Sequence, residues 1–232
     1  MGQPLRIRKG PPLRIRKGLT CTMRMRRKPN LEPRMERCAD LMVAPPGALR
    51  GQWLGEGPYG ELHIEIGCGK GRFTVETAKT EQGVLVAALE KSANAMVIAL
   101  ERAKAEGLRN VRFLNALADN LPEYFAPGEA ARIYINFCDP WPSNRHAKRR
   151  LTSGGFADRY KAVLRPGGEV HFKTDNLPLF EYSLREFPKH GFAAAEIARD
   201  LHKNGPSGVM TDYELKFHAQ GLPIYKARFA LF

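Results

Sequence analysis

The sequence predicts an α/β fold in which helices cover both faces of a mostly parallel β-sheet. Three observations support this prediction. Short apolar runs alternate with segments of helical periodicity from residue 61 to residue 231, which is typical of parallel strands joined by helices. A glycine-rich loop directly follows the first of these runs. The chain of 232 residues is also long enough for one such domain with a sizeable core.

Seven strands are predicted from the apolar runs, because their length and their bounding turn residues suit buried strands. They are Glu61–Ile66, Val84–Leu89, Asn110–Leu114, Arg132–Phe137, Glu169–Thr174, and two near Phe192–Ile197 and Tyr225–Leu231.

Helices are predicted between the strands from their caps and their spacing. Ser92 is predicted to cap one helix, in which Ala95, Ile98, Ala99 and Arg102 have helical spacing. The other predicted segments run from the glycine loop to about Thr80, from Thr152–Gly154 to about Leu164 before a turn at Arg165–Gly168, and from the fifth strand through Phe187.

The charge of the chain is concentrated at its N-terminus. The formal net charge is +13, and residues 1–31 hold ten Lys or Arg and no Asp or Glu. The other residues carry 37 − 10 = 27 basic and 24 acidic groups, a balance of only +3. We therefore expect residues 1–30 to form a basic, disordered arm and residues 31–232 to form the folded domain. Such an arm suits a phosphate backbone.

A membrane surface is the rival partner for this arm. No apolar run approaches the roughly 18–20 residues that a membrane span needs, and no signal-peptide core is present. The arm repeats PLRIRKG at residues 4–10 and 12–18, and Met23 offers a second start. Residues 1–22 are accordingly a candidate non-native extension.

The four cysteines are scattered, with no pair at metal-ligand spacing. We expect reduced thiols, a cytoplasmic location and no metal site.

The glycine loop Gly67-Cys68-Gly69-Lys70-Gly71 indicates the cofactor. It has the pattern GxGxG, and Arg72 breaks the dinucleotide pattern GxGxxG. Glu65, just before the loop, would repel a pyrophosphate but would attract a cationic amino-acid group. Glu90 follows the second strand and suits a bidentate contact to ribose hydroxyls. The combination resembles class I S-adenosylmethionine-dependent methyltransferases, a Rossmann-like fold.

The fourth strand ends at a second chemical motif, Asn136-Phe-Cys-Asp-Pro-Trp-Pro, which places the carboxylate of Asp139 and the indole of Trp141 at the ligand-binding edge of the sheet. The basic run Arg145–Arg150 follows it. A carboxylate, an aromatic side chain and a phosphate-binding run together suggest chemistry on a nucleobase within a nucleic acid. The alternative is a plain strand-to-turn junction followed by a solvated basic helix.

Five motifs in order resemble the bacterial tRNA (guanine-N7-)-methyltransferase family, from Met23 to the C-terminus. They are Met23–Pro29, His63–Gly71, Asn136–Pro142, His171–Asn176 and Thr211–Phe217. The resemblance implies transfer of a methyl group from S-adenosylmethionine to N7 of a guanosine in the tRNA variable loop.

The resemblance also implies roles for individual residues. Asp139 would be the catalytic carboxylate. The residues expected to bind the cofactor are Glu65, Gly67, Gly69, Glu90, Asn115 and Asp139. Those expected to bind the guanosine or its tRNA are Ser143, Asp175, Thr211, Asp212, Tyr213 and Glu214.

Two positions depart from the family pattern. Leu117 stands where the family usually has an acidic residue that holds the adenine amine, so Asn115 or a backbone group must serve instead. Ser143 stands where the family often has Lys, and Arg145 or Lys148 could supply the lost charge.

The chemistry of guanine fits these residues. N7 has a free lone pair, so methyl transfer needs alignment but no base. A nearby carboxylate stabilises the positive charge that develops on the purine.

Several residues also have a purely structural interpretation. We interpret Trp53 and Cys138 as packing residues and Trp141 as a cover for the sheet edge. Thr174–Asn176 and Thr211–Glu214 have the pattern of helix caps, which can coexist with ligand contacts.

Two other functions remain open from the sequence. The first is methylation of an adenine amino group, although Trp141 replaces the second proline of that motif. The second is a non-catalytic RNA-binding module, although Glu65, Glu90 and Asp139 are intact. The expected partner is tRNA, and the expected state is a monomer or a homodimer.

Overall fold

A computed structural model of the chain describes residues 28–232. The predicted basic arm, residues 1–30, lies outside the described residues except for its last three. The folded part begins at the short helix α1 (Leu31–Glu36).

The described strands are β1 (Glu61–Ile66), β2 (Val84–Leu89), β3 (Val111–Leu114), β4 (Ala130–Asn136), β5 (Leu164–Thr174), β6 (Phe192–Ala198) and β7 (Tyr225–Leu231). Over residues 28–232 they form one seven-stranded sheet in the order β3-β2-β1-β4-β5-β7-β6. β7 is antiparallel to both of its neighbours, and β1 to β5 pair in parallel. The predicted α/β fold with a mostly parallel sheet is therefore confirmed.

The other helices are α2 (Arg72–Thr80), α3 (Ala93–Ala105), α4 (Leu121–Tyr124), α5 (Gly154–Val163), α6 (Leu177–Glu186) and α7 (Asp212–Ala219). Ser92 occupies the N-cap position of α3 as predicted, but its side chain makes no capping hydrogen bond. Its backbone N–H donates instead to Glu90.

The largest difference from the predicted strands lies at β5. The predicted turn Arg165–Gly168 is part of that strand, because Leu164 already pairs with Ala130 before an irregularity in the register. β4 correspondingly begins at Ala130 and not at Arg132. Gly167 has the positive φ of a turn residue, 72°, but it lies within strand β5.

The two faces of the sheet differ in chemistry. One face is apolar along its whole width and packs against α4, α5 and α6, with Ile64, Ile133 and Phe172 at its centre. The other face is apolar at β2 and β3, where α1, α2 and α3 pack against it. Across β1, β4 and β5 the same face carries polar side chains at alternate positions, because alternate residues of a strand share a face.

Those polar residues are His63, Glu65, Arg132, Tyr134, Asn136, His171 and Lys173.

Within residues 28–232, every helix is too short or too polar to cross a bilayer.

Candidate active site

Two adjoining cavities lie at the carboxyl ends of the parallel strands. Their volumes are about 300 Å³ and about 450 Å³. Gly67, Asn136 and Phe137 line both cavities, so one ligand can extend from the smaller into the larger. The predicted site residues that line one or both are Glu65, Gly67, Gly69, Glu90, Asp139, Thr211, Asp212 and Tyr213.

The loop between β1 and α2 leaves open space at the cavities. Gly67, Gly69 and Gly71 have φ values of 76°, 57° and 77°, a left-handed region that favours glycine. A Cβ at Gly67 or Gly69 would meet nothing within 4 Å, whereas a Cβ at Gly71 would lie 2.5 Å from the Cβ of Ala99. Gly71 thus permits α2 to pack on α3, and the other two glycines permit a ligand to approach the backbone closely.

Glu90 lies at the tip of β2 and is already oriented by the backbone. Its Oε2 accepts a hydrogen bond from Gly69 N at 3.0 Å, and its Oε1 accepts one from Ser92 N at 2.8 Å. A carboxylate offers about four lone-pair sites, so each oxygen retains one acceptor position. Two adjacent acceptors are what a pair of vicinal ribose hydroxyls requires.

Glu65 is buried behind the glycine loop, with only 2% of its surface exposed. It accepts hydrogen bonds from Thr74 Oγ1 at 2.5 Å and from Asn136 Nδ2 at 3.4 Å. Burial raises the pKa of Glu65 to about 7, against the opposing effect of these hydrogen bonds and of Lys173. A cationic ligand group placed beside this carboxylate would favour its ionised form.

The predicted adenine region has an apolar wall. Leu117 is 52% exposed and lines the larger cavity together with Ala116 and Ala118. Asn115 Nδ2 donates to the backbone carbonyl of Glu90 at 2.7 Å, which places it at the neighbouring strand tip. Its contact to adenine stays a prediction. Asp119, which was not singled out from the sequence, lines the same cavity and offers a second acceptor.

Asp139 lies on the loop after β4, exposed to solvent, and lines the larger cavity. Phe137 and Trp141, two residues to either side, have φ values of 53° and 41°. Such left-handed conformations cost non-glycine residues of order 1–3 kcal/mol each and persist only where the surroundings impose them. The loop that carries Asp139 is therefore held in a strained shape.

Arg150 is the side chain that holds this loop from behind. Its Nε and Nη2 donate to the carbonyl oxygen of Trp141 at 3.2 and 3.0 Å, and Nε also donates to that of Pro140 at 3.2 Å. Its guanidinium carbon lies 4.4 Å from the centroid of the Tyr182 ring. This corrects the interpretation of Arg145–Arg150 as one phosphate-binding run, because Arg150 is buried and turned toward the protein.

The rest of the basic run remains at the surface. Arg145, Lys148 and Arg149 are exposed on a short 3₁₀ helix, and Lys148 and Arg149 border the larger cavity. Ser143 is the exposed N-cap residue of that helix and makes no side-chain capping bond. Its contact to RNA stays a prediction.

Asp175 directly follows β5, at the same end of the sheet as the aromatic pair of Phe137 and Tyr213. The rings of Phe137 and Tyr213 have centroids 5.2 Å apart. Burial raises the pKa of Tyr213, and the negative charge of Asp175 raises it further. Asp175 is half-buried, and burial raises its own pKa. Asn176, and not Asp175, caps α6 by accepting from Leu179 N at 2.9 Å.

The segment Thr211–Glu214 forms the predicted capping box. Thr211 Oγ1 accepts from Glu214 N at 2.9 Å, and Thr211 N donates to Glu214 Oε2 at 3.3 Å. Thr211, Asp212 and Tyr213 line the smaller cavity, and Asp212 pairs with Arg102 of α3 at 2.7 Å.

Glu214 was expected to bind the guanosine or its tRNA, but it does not lie at the surface of the site. It is fully buried, and its carboxylate accepts from Lys173 Nζ at 3.0 and 3.1 Å and is 2.9 Å from His202 Nε2. Because these partners and Thr211 N occupy its oxygens, Glu214 is an internal anchor, and a direct contact to the substrate is not supported.

The structural interpretations of two residues are supported. Trp53 is fully buried and donates from Nε1 to the carbonyl of Tyr124 at 3.0 Å. Cys138 packs against the main core. Burial, and then the charge of Asp139, raise the pKa of Cys138 to about 12, so its thiol is protonated at neutral pH and is no nucleophile.

Trp141 lines the larger cavity, and its role as a cover for the sheet edge stays a prediction. The guanidinium of Arg149 lies 5.1 Å from its ring centroid.

Four residues that organise the site were missed from the sequence: Phe137, Arg150, Lys173 and His202. Lys173 stands two positions before Asp175, which places it on the same strand face as the site, and this spacing could have identified it. Nothing in the local sequence distinguishes Arg150 from its exposed basic neighbours.

The sheet order, the glycine loop after β1 and the acidic residue after β2 define a class I methyltransferase, which uses S-adenosylmethionine as its methyl donor. Known structures agree with this fold. A 16S rRNA methyltransferase, KamB, is similar with a TM-score of 0.62 and 19% identity, over 78% of this chain and 93% of that one. The aminoglycoside resistance methyltransferase NpmB1 is similar with a TM-score of 0.58 and 19% identity, over 79% and 93%.

Sequence comparison gives the family within this class. Residues 60–227 match a family described as "Putative methyltransferase". The tRNA (guanine-N(7)-)-methyltransferase of Bacillus velezensis is 44% identical over 207 residues, 88% of this chain and 95% of the relative. That of Bacillus subtilis is 42% identical over 207 residues, 88% and 97%. The chain belongs to the tRNA (guanine-N(7)-)-methyltransferase family.

Proposed function

We propose that this protein transfers a methyl group from S-adenosylmethionine to N7 of a guanosine in the variable loop of tRNA. The named activity of its family supports the reaction. The observation that carries the residue assignment is the position of Asp139. It lines the larger cavity together with Glu90. It also lies on the same loop as Phe137, whose ring contacts that of Tyr213.

The donor fits the residues at the tips of β1 and β2. Gly67 and Gly69 give it room, Glu65 faces its cationic amino-acid part, and the two oriented oxygens of Glu90 take its ribose hydroxyls. Leu117 contacts one side of the adenine. When bound, S-adenosylmethionine supplies an electrophilic methyl group on a sulfonium sulfur.

The guanine fits the tips of β4 and β5. The rings of Phe137 and Tyr213 offer flat apolar surfaces for the base, and Asp175 accepts hydrogen bonds from N1–H and the exocyclic amine. Guanine is the base whose Watson–Crick edge provides two adjacent donors, so a carboxylate there selects guanine over adenine.

The chain needs no general base for this chemistry, because N7 of guanine carries a free lone pair at neutral pH. Its residues act by alignment and by electrostatics. As N7 accepts the methyl group, the purine becomes cationic, and the carboxylate of Asp139 stabilises that charge more in the transition state than in the ground state. Arg150 supports this role by fixing the backbone of the loop.

The tRNA backbone would lie along the exposed basic residues beside the larger cavity, Arg145, Lys148 and Arg149. We place the reaction in the cytoplasm, since Cys38, Cys68 and Cys138 are unpaired among residues 28–232, as reduced compartments favour. The protein would act as a monomer or as a homodimer.

The test is methylation of an unmodified tRNA transcript with labelled donor, followed by mapping of the modified base. We expect label in 7-methylguanosine, and chain cleavage at a variable-loop guanosine after reduction and aniline treatment. A transcript with adenosine at that position is the matched control and should remain unlabelled. Label in an adenine amino group would contradict the proposal, and so would the absence of any label with the wild-type protein.

A further inference from the structure

Helix α7 is anchored to the domain in an unusual way. Amphipathic helices normally dock through an apolar stripe. In α7 the one fully buried residue is Glu214, a carboxylate, while Tyr213 and Leu215 beside it are exposed. No other described helix or strand packs extensively against α7. Besides the exposed ion pair of Asp212 with Arg102 and the ring contact of Tyr213 with Phe137, the contacts of this buried carboxylate hold the start of the helix.

Lys173 of β5 is its principal partner. The lysine is 8% exposed, and its Nζ donates to both oxygens of Glu214 and to the carbonyl oxygen of Val209 at 2.8 Å. Burial lowers the pKa of Lys173, and the charge of Glu214 opposes this effect.

His202 completes the network. Its Nδ1 accepts from Ser207 N at 3.2 Å, which leaves the proton on Nε2, and Nε2 donates to Glu214 Oε1 at 2.9 Å. The network therefore connects three separate stretches: strand β5, the loop before α7, and the first turn of α7.

The two ends of the Lys173–Glu214 pair lie next to the proposed base site. Lys173 precedes Asp175 by two residues on the same strand, and Glu214 directly follows Tyr213. A buried ion pair is weak evidence for stability but can fix one arrangement among several. Here it links β5, which leads into Asp175, to the first turn of α7, which carries Tyr213.

We propose that Lys173 is a positioning residue, which sets Tyr213 and the start of α7 against Asp175 through its ion pair with Glu214. This inference rests on the proposed function for its substrate, because the base site is the one assigned to guanine of tRNA. It assigns Lys173 no contact with the donor or the base.

Lys226 provides a matched control. It is the cross-strand neighbour of Lys173, since the two residues pair between β5 and β7, and both line the same polar cavity of about 190 Å³. Its ion pair is with Glu196, at 3.5 Å, on β6. Lys226→Met therefore removes a neighbouring, half-buried lysine but leaves the contacts of Glu214 in place.

The experiment compares Lys173→Met with Lys226→Met in steady-state kinetics, donor calorimetry and hydrogen exchange, well below the melting temperature. We expect Lys173→Met to raise KM for tRNA and lower kcat, each about tenfold, because misplacement of about 1 Å has effects of this size or larger. Donor Kd should change less than about twofold, and amides of residues 209–217 should exchange faster. Lys226→Met should change none of these quantities by more than about twofold.

Three outcomes would overturn the proposal. A lower melting temperature with unchanged kinetics and exchange would show that the pair is only structural. A loss of donor affinity as large as the loss for tRNA would show that Lys173 acts through Glu65. Equal effects of both variants would show that the loss of one positive charge in this region, and not the loss of the ion pair with Glu214, causes the change.

Two further arrangements keep the test decisive. If Lys173→Met does not fold, Glu214→Gln retains the hydrogen-bonding shape, removes the charge and should give the same pattern. If the wild-type protein does not methylate tRNA, the proposed function fails, and hydrogen exchange of residues 209–217 still decides whether Lys173 positions α7.

Discussion

The donor half and the substrate half of the site are built by different means. The donor half, at the tips of β1 and β2, is organised by the backbone: loop N–H groups orient Glu90, and glycines create the space. The substrate half, at the tips of β4 and β5, is organised by long side chains. Arg150 holds the loop of Asp139, and Lys173 holds α7.

This difference has a physical consequence for each half. Backbone hydrogen bonds and glycine conformations are set locally, so the donor half should tolerate changes elsewhere in the chain. The substrate half depends on buried cations with few alternatives, and removing one partner of such a pair leaves an uncompensated charge. We therefore expect the two halves to respond separately to substitution of Glu90 and of Asp175, and to respond together to substitution of Asp139.

Asp139→Ala should have the largest effect, because Asp139 is where the two halves meet. We expect kcat to fall about 10²–10³-fold, as for loss of one preorganised electrostatic contact. Donor Kd should change little, because the side chain is exposed and Glu90 remains. Stopped-time assays with labelled donor measure the loss, and circular dichroism checks the fold. More than a tenth of wild-type kcat in the variant would remove Asp139 from the mechanism.

Asp175→Ala should affect only the substrate half. We expect KM for tRNA to rise and kcat to fall, each about tenfold, because the base loses a hydrogen-bonded charged partner. Asn176→Ala is the matched control, since Asn176 caps α6. It should cost about 1 kcal/mol of stability and leave KM unchanged. The reverse pattern, with Asp175 affecting melting temperature alone, would assign Asp175 to the cap.

The affinity of the donor half for its cationic ligand should depend on pH. The pKa of Glu65 is raised to about 7 by burial, so the carboxyl is neutral below pH 7 in the free protein. A cationic donor binds the ionised form, and its affinity should therefore rise about tenfold from pH 5.5 to pH 7, where its own amine stays charged. Calorimetry of donor binding in two different buffers would detect the proton that Glu65 releases when the donor binds. Glu65→Gln should abolish the dependence, and a dependence that persisted would place the titrating group elsewhere.

The same contrast explains what could be predicted from the sequence. The strand runs, the GxGxG loop and Glu90 lie within short segments whose chemistry is visible locally, and the structure places them as expected. Asp139 and Asp175 were also recognisable, because Asp175 directly follows β5 and Asp139 lies three residues after the end of β4.

What escaped prediction depends on contacts between distant residues. Lys173 and Glu214 are 41 residues apart in the chain, and the pattern of Thr211–Glu214 predicts only a cap and gives no sign of a buried anchor. Arg150 belongs to a uniformly basic run, and only the fold shows that it alone turns inward among Arg145–Arg150. Ser92 was predicted at the right position, but the sequence did not show that its backbone N–H binds Glu90 and that its side chain makes no capping bond.

The most direct test of two separately built halves is a double-mutant cycle of Glu90→Ala and Asp175→Ala on kcat/KM, with both substrates below saturation. Glu90→Ala alone should raise donor Kd about tenfold or more and leave tRNA affinity unchanged, because each hydrogen bond to a charged group contributes about 1.5–3 kcal/mol. Since the two side chains share no partner among the described contacts, the effects of the single variants should add, with a coupling free energy within about 0.5 kcal/mol of zero. A coupling free energy above about 1 kcal/mol would contradict the account, because it would show that the donor and substrate halves form one cooperative unit.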